Sequence, residues 1–226
     1  LNRDTAGCGM FGIQTAAMCG GGTTRVVSAE IYDGTSWTEV GNLSTGRDGL
    51  SGNQNSSSAY TTGAVFGGYV PSASALTEEW NFTSTLAAGA WASGGNINTA
   101  RANQGGAGTQ TAGLIAGGVS PSYVAIAETY DGSSWTEVGD LNQARSKMGD
   151  VGTQTAALVF GGKNPPVSGG MDLVESYNGT AWTEIADLTT GKSSGGAAGA
   201  SSTSALLFGG HSGTAYVATN EEWNGT

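Results

Sequence analysis

The side chains best suited to acid–base chemistry in this chain are arginines and glutamates, and they recur. Arg47, Arg101 and Arg145 each stand four residues after Leu43, Ile97 and Leu141. Lys192 and Thr5 hold the same place after Leu188 and Leu1. Glu30, Glu79, Glu128, Glu175 and Glu222 recur just ahead of an aromatic residue. A single active site needs an asymmetric cluster, whereas a group repeated once per unit belongs to the unit. A carboxylate buried at an interface needs a charged or hydrogen-bonding partner. The expected role of these residues is therefore to bridge neighbouring strands or repeats.

Other chemistry finds little material. His211 is the only histidine and sits in a glycine-rich loop, while a metal centre needs several converging ligands. No metal and no cofactor are expected. Cys8 and Cys19 are the only cysteines. If the first hairpin turns at Ile13-Gln14 they face each other, either as small packing residues or as a cross-strand disulfide. No Gly-x-Ser-x-Gly elbow follows an apolar strand, and no glycine-rich run leads into the Lys-Ser/Thr of a phosphate loop. No catalytic residue is assigned, and the chain is expected not to be an enzyme.

Binding chemistry is better supplied. Arg25, Tyr69, Tyr123, Asn164, His211 and Tyr216 fall in segments that differ from repeat to repeat. Aromatic rings stack on sugars or peptide groups, and amide and guanidinium groups hydrogen-bond them. A shared scaffold with dissimilar loops on one face is how binding surfaces are commonly built.

The elements that would carry these loops are set by a repeat. Gly21-Gly22, Gly67-Gly68, Gly117-Gly118, Gly161-Gly162 and Gly209-Gly210 have first glycines 46, 50, 44 and 48 residues apart. Periods of this size mark repeat architectures. Each pair ends an apolar run such as Leu158-Val159-Phe160 or Leu206-Leu207-Phe208, which reads as a strand covered on both faces. A polar turn such as Gly108-Thr109-Gln110-Thr111 precedes it. A Glu and aromatic strand follows, then Asp33-Gly34, Asp131-Gly132, Asn178-Gly179 or Asn224-Gly225, a hairpin signal for a type I′ turn. A last strand opens with Trp37, Trp91, Trp135 or Trp182. In the second repeat the turn before Trp91 is enlarged over residues 82–90.

Four antiparallel strands, a to d, repeated at this period predict an all-β propeller. The repeats span about 1–42, 43–96, 97–140, 141–187 and 188–226. Four tryptophan strands serve five glycine pairs, so the last repeat is expected to lack strand d. Alternating strands place the b–c loops, at 23–29, 69–77, 119–127, 163–174 and 211–220, on one face with the d–a connections. The a–b and c–d turns fall on the other.

An apolar strand ending in Gly-Gly, then a spaced tyrosine and tryptophan, resembles the kelch repeat, over essentially the whole chain in five copies. The wording Asp131-Gly132-Ser133-Ser134-Trp135-Thr136-Glu137-Val138, with Gly152-Thr153-Gln154-Thr155-Ala156-Ala157, looks like kelch-like repeats of predicted marine bacteriophage virion proteins. The resemblance implies a kelch-type β-propeller in a virion or outside the cell, meeting a glycan or protein receptor or neighbouring virion proteins. Its Tyr-to-Trp spacing is shorter than in animal kelch proteins, so their partners do not carry over. Galactose oxidase also carries kelch repeats, but its copper centre needs two histidines. A sialidase-like site needs converging arginines, and the arginines here are one per repeat. Two alternatives remain: a secreted carbohydrate-active enzyme and an intracellular protein-interaction scaffold.

Composition agrees with thin, turn-rich units: 40 glycines in 226 residues and only 12% charged residues. A net charge of −10 works against binding nucleic-acid phosphates or anionic membranes, and no run is apolar enough to insert in a bilayer. Neither nucleic acid nor membrane is an expected partner. The start at Leu1 and the stop at Asn224-Gly225-Thr226 are expected to mark a segment of a longer polypeptide.

Overall fold

The computed structural model describes residues 1–2, 5–53, 60–82, 90–165 and 169–225. The enlarged turn of the second repeat falls largely outside them. The described residues form a five-bladed β-propeller with almost no helix. Strands a to d run Gly9–Ile13, Ala16–Gly20, Ala29–Tyr32 and Trp37–Val40 in blade 1. Blade 2 uses Ser51–Gly52, Thr62–Phe66, Thr77–Asn81 and Ala90–Ser93. Blade 3 uses Gly105–Thr109, Ala112–Ala116, Ala127–Tyr130 and Trp135–Val138, and blade 4 uses Gly149–Thr153, Ala156–Phe160, Val174–Tyr177 and Trp182–Glu184. Blade 5 has three strands, Gly196–Ser201, Ser204–Phe208 and Asn220–Trp223, and no strand d among the described residues. Pairing is antiparallel in the order a-b-c-d, with the Gly-Gly strand internal and the tryptophan strand at the outer edge.

Alternation along each strand decides which neighbour a side chain meets. In blade 3, Gly113, Tyr130 and Trp135 lie in register across strands b, c and d. Their common face packs on blade 2, where the Trp135 ring meets Phe66 edge-on at 5.1 Å. Leu114 and Ala116 point the other way, onto Tyr177 and Trp182 of blade 4. Each interface thus combines strand b of one blade with the aromatic row of the next. Trp80 and Trp91 form that row in blade 2. The tyrosine–tryptophan rings stack 4.9 Å apart in blades 3 and 4.

Backbone bonds repeat with the blades. In the first four pairs the second glycine donates its N–H to the next blade: Gly22 to Arg47 O, Gly68 to Arg101 O, Gly118 to Arg145 O and Gly162 to Lys192 O, at 2.8–3.0 Å. The first glycine has positive φ, and a Cβ there would run into that next blade: on Gly161 it would fall 2.3 Å from Lys192 O. Near the axis, Asn103 N–H donates to Gly49 O, Lys147 N–H to Asn103 O and Ser194 N–H to Lys147 O.

The recurring ion pairs are present, with two corrections. Arg47 pairs with Glu78, Arg101 with Glu128, Arg145 with Glu175 and Lys192 with Glu221, at 2.6–2.9 Å. In blades 2 and 5 the paired glutamate is therefore Glu78 or Glu221, not Glu79 or Glu222. The position two residues before the aromatic points to the basic side chain, and its neighbour points to the opposite face. Glu79 instead accepts the Tyr130 hydroxyl of blade 3 at 2.7 Å. Each ion pair lies within one repeat and does not bridge two blades. Its carboxylate also receives backbone N–H groups at the repeat start, as Glu128 does from Asn98 and Thr99.

Two local expectations change. Cys19 is opposite Met10, not Cys8, and no disulfide joins the two cysteines. The hairpin turns at Gln14-Thr15, one residue later than Ile13-Gln14, which shifts every cross-strand partner. The Asp-Gly and Asn-Gly turns are not type I′, because only the glycine has positive φ. The preceding side chain closes a four-residue turn: Asp131 Oδ1 accepts the N–H groups of Ser133 and Ser134, and Asn178 does the same for Thr180 and Ala181. These bonds favour the charged carboxylate and pull the Asp131 pKa down to about 2.

Candidate binding face

The b–c loops and the starts of strand a share one end of the propeller. Isolated bridges join Asp48 to Tyr69, Ala102 to Val119, Ser146 to Lys163 and Ser193 to His211. Sequence placed these loops on one face without predicting their internal form. In blades 2 and 3 they are miniature hairpins, Tyr69–Val70 with Ser72–Ala73 and Val119–Ser120 with Ser122–Tyr123.

Between the two hairpins runs a groove of about 650 Å³. Tyr69, Pro71 and Ala73 line it from blade 2, Val119 and Pro121 from blade 3, with Ala102 and Asn103 at the base. Proline and short strands hold its walls without long flexible side chains, so little ordering entropy opposes a ligand that enters. The groove is more apolar than polar and suits an aromatic, aliphatic or sugar-ring face.

The six expected binding residues do not form one cluster. The Arg25 guanidinium lies 5.0 Å over the Tyr69 ring and 3.8 Å from Asp48, so these two residues join the first two blades at the groove end. Thr24 and Arg25 both have positive φ, a conformation uncommon outside glycine. Tyr123 pairs with Val119 in the second hairpin and is half-buried. Asn164 is half-buried in the blade 4 loop. His211 and Tyr216 form a separate pair in blade 5, their rings edge-on at 5.1 Å, with His211 Nδ1 accepting Gly213 N–H. Tyr216 is 90% exposed.

The central channel was not singled out from sequence. It holds about 500 Å³ and is lined from all five blades, including Cys8, Ser51, Asn103, Lys147, Asp150 and Ser194. Asp150 occupies the position held by Met10, Gly52, Gly106 and Ala197 in the other blades. Burial pushes its pKa up to about 7, and a hydrogen bond from Gly106 N–H pulls weakly the other way. An acidic residue in an otherwise small or apolar series was the signal available in the aligned repeats. Glycoside hydrolysis uses a pair of carboxyl groups. Asp150 is the only carboxylate among the residues lining this channel, and no metal-ligating cluster occurs among the described residues.

No protein-family model matches the chain, and no curated protein matches it in sequence. Its class is defined by geometry alone. It is a five-bladed β-propeller, a scaffold consistent with a binding module.

Proposed function

We propose that this propeller is a non-enzymatic binding module that meets a glycan or a protein through its b–c face, on a virion or cell surface. The observation that carries the reading is the preformed groove between the hairpins of blades 2 and 3, with Tyr69 on its wall and Arg25 across that ring. Stacking of a sugar or side chain on tyrosine needs a fixed, accessible ring, and Tyr69 is 38% exposed. The acidic net charge supports a receptor other than nucleic acid or anionic membrane. The virion setting rests on the resemblance of the repeats to kelch-like phage sequences.

The test is binding of the purified chain to glycan arrays and host cells, with Tyr69→Ala, Tyr123→Ala and Pro121→Ala beside the unchanged protein. The expected result is at least about tenfold weaker binding for Tyr69→Ala at unchanged melting temperature, a hot-spot effect. Gln110→Ala, on the a–b turn face, is expected to bind normally. Loss of binding with Gln110→Ala alone places function on the opposite face. Turnover of a glycan substrate by the purified chain overturns the non-enzymatic assignment.

A further inference from the structure

Four of the propeller's blade contacts are alike, and the seam between blades 5 and 1 is not. On the blade 5 side, Phe208 is 44% exposed, while Phe66 and Phe160 at the same position are 0% and 3% exposed. Leu206, on the same face, is only partly covered, whereas Leu114 and Leu158 are buried. On the blade 1 side, Tyr32 and Trp37 stack as in the other blades but are half-exposed. Their counterparts Tyr130, Trp135, Tyr177 and Trp182 are 1–6% exposed.

The backbone repeats the pattern. A Cβ on Gly209 would meet nothing closer than 3.7 Å, and that contact is its own blade's Val217. At the other four first glycines the next blade lies within 2.8 Å of that point. The bond from the second glycine to the next blade has no counterpart at Gly210, and no backbone bond joins Ser194 to Gly7.

We propose that the seam is a docking slot for a further blade of this same repeat type. The occupant follows from continuity with the four existing interfaces. Phe208 offers the ring edge that Phe66 offers to Trp135, so the slot calls for an aromatic row on the incoming blade. Tyr32 and Trp37 offer that row in turn, so the far side of the newcomer must be an apolar strand b. One four-stranded blade carries both faces. The two open faces flank one channel, so a single blade with two complementary faces answers both. In the filled slot, Gly210 N–H and Ser194 O gain the partners that their counterparts already have. The slot is independent of the groove and of what binds there.

The test extends the 226-residue chain by a copy of residues 181–187, completing strand d of blade 5, and then by a copy of residues 97–140. The chain itself and the chain with residues 181–187 alone are the references. The expected result for the full extension is a melting temperature at least about 5 °C above both references. Slowed amide exchange at Phe208 and Gly210 and blue-shifted Trp37 emission accompany it. The same extension with Trp135→Ala in the copied blade is expected to lose most of the gain. Three results overturn the proposal. The short extension can match the full one. The unextended chain can show Phe208 and Gly210 already protected as a monomer, which means that blade 5 closes on blade 1. Sedimentation can show a dimer or filament with those amides protected, which means that a second copy fills the seam.

Discussion

Neutralising one carboxylate separates a buried ion pair from a screened one within a single molecule. Glu128 and Arg101 are both fully buried, 2.6 Å apart. Burial pushes the Arg101 guanidinium pKa down, and the Glu128 charge works against that shift. Glu128→Gln keeps the shape and one oxygen for the Asn98 N–H, but removes the charge beside Arg101. Leaving one partner of a buried pair alone costs about 3–5 kcal/mol. Arg101 Nη2 already has no hydrogen-bond partner, so little is at hand to compensate. For a chain of this size each kcal/mol moves the melting temperature by about 2–4 °C, so the expected fall is about 6–20 °C. Glu221→Gln is the internal control. Lys192 is buried, but Glu221 is 19% exposed, and its pKa is lowered as hydrogen bonds from Thr189 and Lys192 outweigh burial. Water reaches the rest of the Glu221 side chain, although Oε1 beside Lys192 is covered, and the expected loss is under about 2 kcal/mol. Calorimetry and urea unfolding of both variants make the comparison. Equal losses, or a loss below about 1 kcal/mol for Glu128→Gln, would refute the view that burial sets the worth of these pairs.

Asp150 has a folded pKa of about 7, above its ordinary 3.8, so the folded state holds its proton more tightly than the unfolded chain. Stability should therefore fall as pH rises from 3.8 to about 7 and level off above, by up to about 4 kcal/mol and less where channel water solvates the carboxylate. Asp150→Asn should lose this dependence and melt higher at pH 8, which urea titrations across pH will read. Trp135→Ala should cost about 3–5 kcal/mol, because the ring is buried against Phe66. Trp37→Ala, half-exposed at the seam, should cost under about 2 kcal/mol in the same melts. Tyr216→Ala should leave stability within about 0.5 kcal/mol, since its ring lies almost wholly in solvent.

Repetition made much of the architecture legible. A strand is a local object, and its apolar run, turn residues and closing glycines stand next to one another in the chain. Five spaced copies of Gly-Gly and four opening tryptophans therefore disclosed the blades, their strand order and the three-stranded form of the last blade among the described residues. The b–c loops were found the same way, because they are what differs between copies. The ion pairs were half legible. Recurrence named the arginines, but alternation on a folded strand was needed to choose Glu78 over Glu79 and Glu221 over Glu222. Register was out of reach for Cys8 and Cys19, since a turn displaced by one residue reassigns every cross-strand partner.

What only the tertiary structure decided is whatever depends on two blades at once. The groove exists because hairpins from blades 2 and 3, about fifty residues apart in the chain, stand side by side. Asp150 gains its raised pKa from walls supplied by other blades. Phe208 and Trp37 read in sequence like their buried counterparts, and differ from them only in having no blade beside them. Sequence encodes the face of each blade through alternation over a few residues. Whether that face is covered depends on the arrangement of whole blades around the axis, which no local pattern contains.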